Sequence, residues 1–343
     1  MAGARPSRRQ VLLSLGAGVF ALAGCGREER PSPSAEAAPS APPAGTMSAG
    51  PRVAVARSPQ AVRDYRVRED VVGELLDAAL RSFTGEDAAS AWRSLFRPGD
   101  VVAIKVNCLG GPQLRSHPEL VEHIVRGLAG AGVALPDIII YDRLSGELSE
   151  CGFEVRTGGA GPLCYGTDEV GYDAEPTVVR SVGSCFSRIV SAQCTAIINV
   201  PVLKDHDVAG LSGALKNHFG SIHNPNKLHL DHCTPYVADL NCADVLREKQ
   251  RLIVYDGLLA CYDGGPAFKP ETTTGYGAIM VATDPVAADA VALSAVEGLR
   301  QEQGLAPLMT SERQPAYLAL AADAEHRLGT ADLAKINVLE AAV

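Results

Sequence analysis

Six short apolar runs rich in β-branched residues recur along the chain and limit its fold more than any other feature. They lie at 53–56, 101–106, 138–141, 196–202, 252–255 and 278–282, each of a length suited to a buried strand. Between and after them, apolar residues repeat with helical spacing at 69–83, 117–131, 208–220, 235–249, 284–299 and 315–328. A chain that alternates strand and helix in this way folds as an α/β protein, with a mostly parallel sheet covered by helices on both faces. Two helix starts carry their own punctuation: Ser116 and Asp284 place capping side chains just ahead of Pro118 and Pro285, where a missing N–H is harmless. With 46% hydrophobic residues the chain can fill such a core. The stretch 143–193 departs from the pattern. Its glycines, Gly158, Gly159, Gly161 and Gly171, mark it as a small insertion of loops or antiparallel strands within a single domain spanning 52–343.

The N-terminus reads as an address. Arg8-Arg9 precede an apolar run from Val11 to Ala23, too short for a spanning helix, which needs about 20 residues. The adjacent arginines resemble the twin-arginine export signal, making that export machinery an expected partner. The run ends in Leu22-Ala23-Gly24-Cys25, which resembles a lipobox, with the Cys25 thiol as lipid acceptor. Residues 1–25 are therefore the signal, and 26–51, rich in Pro, Ala and Ser, the extended tether that follows. The expected location is the periplasmic side of a bacterial membrane, with a lipid anchor.

Open α/β sheets bind ligands outside the carboxyl ends of their strands, and the polar residues of this chain gather where its runs end. Lys105-Val106-Asn107 closes one run, Asp142-Arg143 follows another, Lys204-Asp205-His206-Asp207 a third, and Asp256 ends a fourth. Five of the eight histidines, His206, His218, His223, His229 and His232, fall within 27 residues. Neutral imidazole is the commonest metal ligand and carboxylates often orient it. His206, His218 and His223 are thus the candidate ligands of a divalent transition metal or metal cofactor, with Asp205 orienting a ligand. The same segment also reads as a polar loop packed over the sheet, since Asn224-Pro225-Asn226 is a turn by itself. Lys204 and Lys216 are candidates for base or anion clamp, because burial lowers a lysine's proton affinity. Lys105, Asn107, Asn217 and Asp256 complete the ligand-binding set. Asp284 and Asp289 read as helix-stabilising carboxylates.

Several classes are disfavoured. A net charge of −9 and a single Trp argue against nucleic-acid binding. The glycines near Lys105 and Lys216 complete neither a dinucleotide fingerprint nor a phosphate-binding loop, and the nucleophile elbow of serine hydrolases is missing.

KVNC at 105–108, SHPELVEHIVRGL at 116–128, INVPVLKDHDVAGLSGALKNHFGSIHNPNKLH at 198–229 and TDPVAADAVAL at 283–293 together resemble the DUF362 family. The resemblance spans roughly 52–300, and its specific part is the KDH…GALKN(H)FG stretch. It implies no activity, because the family is named for an unknown function. Some relatives carry an added ferredoxin-like segment. This chain has no CxxC, so a four-iron cluster is not expected here. Its eight cysteines besides Cys25 are instead either buried thiols or disulfides, with Cys151–Cys164, Cys185–Cys194 and Cys233–Cys242 as the short-loop pairings.

The expectation is an exported, lipid-anchored protein whose His/Lys/Asp-rich cleft binds a divalent metal or metal cofactor and acts on a small anionic molecule by redox chemistry or isomerisation. The alternative is a lipoprotein that binds a ligand or metal without chemistry.

Overall fold

The structure is a computed structural model that describes residues 50–343; the twin-arginine motif, Cys25 and nearly all of the tether lie outside the described residues. Ten strands form one sheet: β1 (Arg52–Arg57), β2 (Val102–Lys105), β3 (Ile138–Tyr141), β4 (Leu163–Cys164), β5 (Ala196–Asn199), β6 (Val202–His206), β7 (Gly210–Leu211), β8 (Gln250–Cys261), β9 (Thr273–Ala282) and β10 (Asn337–Ala342). The order is β10-β1-β9-β8-β5-β2-β3-β4, with β6 on β8 beyond the end of β5 and β7 on β6. All run parallel except β9 and β7. The fold is α/β with a mostly parallel sheet, as the alternation predicts.

The period of two along each strand separates two apolar layers. Ile104, Ile140, Ile198 and Val254 face α1 (Glu69–Thr84), α2 (Ala88–Leu95) and α3 (Pro118–Gly130). Ala103, Ile139, Ile197 and Tyr255 face the other layer, which holds α4 (Ala214–Asn217), α5 (Tyr236–Asn241), α7 (Pro285–Glu302) and α8 (Tyr317–Ala321). Strands buried on both faces read as continuous apolar runs, which is why they stood out in the sequence.

Three helical expectations shorten. The pattern at 235–249 divides into α5 and α6 (Asp244–Lys249), and that at 315–328 retains only α8. The pattern at 208–220 gives β7, a bend and the four residues of α4. The bend uses Gly210 at φ +76° and Gly213, whose added Cβ would fall 2.3 Å from an Asp289 carboxylate oxygen. Within 143–193, Leu163–Cys164 joins the sheet edge as β4, and a hairpin pairs Thr177–Val179 with Val182–Ser184. Asp284 caps α7, accepting from Val286 and Ala287 N–H. Ser116 does not cap α3; its hydroxyl accepts from Asn107 N–H and donates to Val200 C=O. The eight described cysteines are free thiols, so none of the three short-loop disulfides forms.

Asp289 does more than complement a helix dipole. Fully buried on α7, its carboxylate accepts from Ala214 and Leu215 N–H at the start of α4 and from Tyr255 Oη at 3.1 Å. Burial pushes its pKa up to about 7 against the pull of these three donors. In Asp289→Asn one carboxylate oxygen becomes an amide donor facing another donor, and the loss is expected to be about 1–3 kcal/mol. Urea denaturation measures it; an unchanged midpoint would show that α4 is held by other contacts.

Candidate functional site

At the carboxyl ends of β2, β3 and β6 a cleft of about 110 Å³ opens, lined among others by Lys105, Asn107, Asp142, His206, Ser212, Lys216, Asn217 and His229. A water's share of liquid is about 30 Å³, so the enclosed space suits a molecule of a few heavy atoms.

Lys105 forms one wall. Its ammonium donates to Asp142 Oδ1 at 2.8 Å, Val106 C=O at 2.6 Å and Asn217 Oδ1 at 3.3 Å. The same carboxylate accepts from the Cys108 and Arg143 N–H groups, which ties the ends of β2 and β3 together. Gly220 passes so close that an added Cβ would lie 2.7 Å from Lys105 Nζ and 2.9 Å from Asp142 Oδ1. Asn217 donates to Asn199 Oδ1 at 2.8 Å and accepts from Asn107 Nδ2 at 3.0 Å. Arg143 pairs with Glu147 at 2.7 Å beside the opening.

Among the described residues, the other wall gives its lysines no carboxylate within hydrogen-bonding distance, and Asp207 acts on Lys216 only from further off. Lys216 Nζ meets His229 Nε2 at 3.2 Å and lies 4.8 Å from the Phe219 ring centre, with no carboxylate partner among the described residues. Lys204, fully buried behind the cleft, donates to Asn107 Oδ1 at 2.9 Å and likewise meets no carboxylate. Burial pushes both lysines down to about 8. His229 Nδ1 donates to Pro225 C=O at 3.2 Å, which leaves the Nε2 lone pair facing Lys216. His206 Nδ1 accepts from Val208 and Ala209 N–H at 3.1 and 3.2 Å, so its proton sits on Nε2. Asp207 Oδ1 also lies 3.2 Å from that Nδ1. With two donors already aimed at the nitrogen the contact is no ion pair. Burial first, then the neighbouring Lys216 charge, pushes His206 down to about 2 and keeps it neutral.

Strand geometry sorts the KDH triplet. Lys204 and His206 alternate with Asp205 along β6, so Asp205 points to the opposite side. There its carboxylate accepts from Gly264 and Gly265 N–H and pairs with Arg313 at 2.9 Å, away from the cleft. Asp256 is also removed. It accepts from His117 N–H and Nδ1 at 2.7 and 2.9 Å and from Leu258 N–H, fixing the start of α3.

The expected metal ligands are not brought together. His218 Nε2 donates to Gln250 Oε1 at 2.7 Å, and burial pushes it down to about 4. His223 is exposed, with its ring against Tyr172. Among the described residues no group of three or more His, Cys, Asp or Glu side chains could hold a metal ion. The donor set therefore does not fit the expected metal, and no step is derived through one. The sequence set missed Asp142, Ser212 and His229 as cleft residues. Asp142 carried a signal as a polar strand end and His229 as one of the clustered histidines; Ser212 carried none.

Sheet and cleft define an open α/β protein with a small, lysine-bearing pocket at its strand ends. The chain belongs to the family described as Domain of unknown function (DUF362), whose profile matches residues 102–294. Among solved structures it is similar to a crystal structure of a protein from Thermotoga maritima, at 9% identity and a TM-score of 0.39. That likeness covers 71% of this chain and 61% of the other. No curated protein matches the chain.

The lowered proton affinity of Lys216 makes a signed prediction. Below pH 8 the folded protein carries the full cost of a buried ammonium. Between about pH 8 and 10 the folded protein sheds a proton that the unfolded chain, near 10.5, still holds, so this lysine's contribution improves as pH rises. Thiols such as Cys194, raised to about 11 by burial, act in the opposite direction. The comparison is therefore with Lys216→Met, whose stability advantage in urea should shrink from pH 7 to 9.5. A constant difference would show that Lys216 does not titrate in that window.

Proposed function

We propose that this protein binds a small anionic molecule in the cleft and moves a proton on it, an isomerisation in type. The observation that carries the reading is Lys216, an amine nearly buried in the cleft wall with an imidazole lone pair as its hydrogen-bond partner and, among the described residues, no carboxylate paired with it. A buried cation left unpaired is costly, and an incoming anion relieves that cost. Lys105, paired with Asp142, supplies a second positive group, and Asn107 and Asn217 offer amides between the lysines. Lys216 with His229 would take the proton, and the His206 Nε2–H would donate one. The neutral state of both histidines suits these roles, since each then has one donor and one acceptor nitrogen.

Calorimetry with a panel of small carboxylates, followed by proton exchange in deuterated water, tests this. We expect at least one ligand whose affinity falls about tenfold or more in Lys216→Met, in line with loss of a charge-assisted contact, and whose C–H exchanges only with the unmodified protein. Binding without exchange would favour the non-catalytic ligand-binding lipoprotein. Equal affinities in both proteins would remove the cleft as the binding site.

We also propose export by the twin-arginine route and lipid attachment at Cys25, on the strength of Arg8-Arg9 and Leu22-Ala23-Gly24-Cys25. No helix of the described residues is long and apolar enough to cross a membrane. Mass spectrometry of the mature N-terminus from a bacterial membrane fraction should show a diacylglycerol-modified Cys25. An unprocessed chain, or a Cys25→Ala variant with unchanged membrane association, would overturn it.

A further inference from the structure

The two lysines that line the cleft are treated differently by their surroundings, and the difference bears on chemistry. Lys105 donates to a carboxylate, a backbone carbonyl and an amide oxygen, which satisfy all three of its N–H groups. Lys216 is offered only the His229 lone pair and the face of Phe219. A lysine meant solely to hold an anion gains from the first environment; a lysine meant to react gains from the second, where the free amine is accessible.

We propose that Lys216 is an amine nucleophile that forms an imine with a small carbonyl compound bearing a carboxylate, such as a 2-oxo acid or an oxo-acid aldehyde. This deepens the reading of the cleft as a small-anion site and rests on it. In the first step the Nζ lone pair attacks the carbonyl carbon while His229 Nε2 takes a proton from nitrogen. The carbonyl oxygen takes that proton back from His229 while accepting a hydrogen bond from the His206 Nε2–H, which stays on its ring. The His206 and His229 ring centres lie 5.7 Å apart, so donor and base belong to one small space. The second amine proton passes through His229 to the same oxygen, the C–O bond breaks, water leaves with both amine protons, and the C=N bond forms with no net oxidation. Lys105 remains to hold the carboxylate, with Asn107 and Asn217 beside it. Phe219 and Leu109 supply apolar wall, which favours the uncharged amine before reaction. A cleft of about 110 Å³ suits a small substrate.

The test uses the full chain with glyoxylate as probe and cyanoborohydride to reduce any imine to a stable secondary amine, followed by peptide mapping. At pH 7.5 a lysine at about 8 holds on the order of a hundredfold more free amine than one at 10.5. Modification of Lys216 is therefore expected at least about tenfold faster than at the exposed Lys269 and Lys335, even after allowance for restricted access. Lys216→Arg should lose the fast adduct at that position, and His229→Ala should slow adduct formation at Lys216. Binding heat in the unmodified protein without preferential Lys216 adduct would overturn the imine and leave the anion site standing. Adducts spread evenly over all lysines would overturn it in the same way. Absence of both heat and adduct would remove the imine and the anion site together.

Discussion

Everything on the unpaired side of the cleft depends on how the short helix α4 is held. Four residues cannot form a stable helix alone, because nucleation is unfavourable and there are too few hydrogen bonds to offset it. Asp289 supplies what is missing: from α7, packed beside α4 in the same layer, it accepts the first N–H groups of α4 and the Tyr255 hydroxyl. Gly213 is small enough to let that carboxylate approach. With α4 fixed at its start, Lys216 and Asn217 reach the cleft while His218 turns toward Gln250. The turn that follows brings Gly220 against Lys105 and Asp142, so both walls are positioned from one anchored segment.

The sheet contributes a second constraint. β8 is long enough to pair first with β5 and then with β6, and the chain passes between those two strands at Val200-Pro201. Pro201 C=O accepts from Asp256 N–H at this junction, and the Asp256 side chain simultaneously holds His117. A relay of buried polar groups thus aligns β6 with the loop after β2. That alignment puts Lys204 within reach of Asn107. Asp256 matters to the site through position and not through contact with a ligand.

How much of this could be read from the sequence follows from what periodicity does and does not encode. All six apolar runs became strands, because strands covered on both faces need unbroken apolar sequence. Lys105, Asn107 and His206 are legible from their place near strand ends and Lys216 and Asn217 from the histidine-rich segment, and all five line the cleft. Asp205 and Asp256 were misplaced for a definable reason. The KDH triplet was read as loop, but it lies inside β6, and one residue of register sends a side chain to the other face of a strand. The helical spacing at 208–220 was misleading because Gly210 and Gly213 turn the chain there, and without a helix the histidines that follow share no face. A count of histidines carries no direction. His218 and His223 diverge, while His229, left out of the ligand set, returns to the cleft.

The retention of two buried lysines without carboxylate partners needs a reason, since the fold could avoid the expense. Arg313 shows the alternative within the same chain: it pairs with Asp205 and Asp263 at 2.9 and 2.8 Å and simply locks a loop. Asp142 shows it again with Lys105. Lys204 and Lys216 receive only neutral acceptors, an amide oxygen and an imidazole nitrogen. Neutral acceptors satisfy the hydrogen bonds of an amine but do not stabilise an ammonium as a carboxylate does, so the surroundings lower proton affinity and leave positive potential in the cleft. Strain of this kind is expected where a bound molecule or a proton transfer makes use of it. Packing alone would be served as well by apolar side chains, and a permanent charge would be better served by the pairing that Lys105 enjoys. The contrast between paired cations such as Lys105 and Arg313 and the two lysines without a carboxylate partner is thus the physical basis for placing chemistry on the Lys216 side of the cleft.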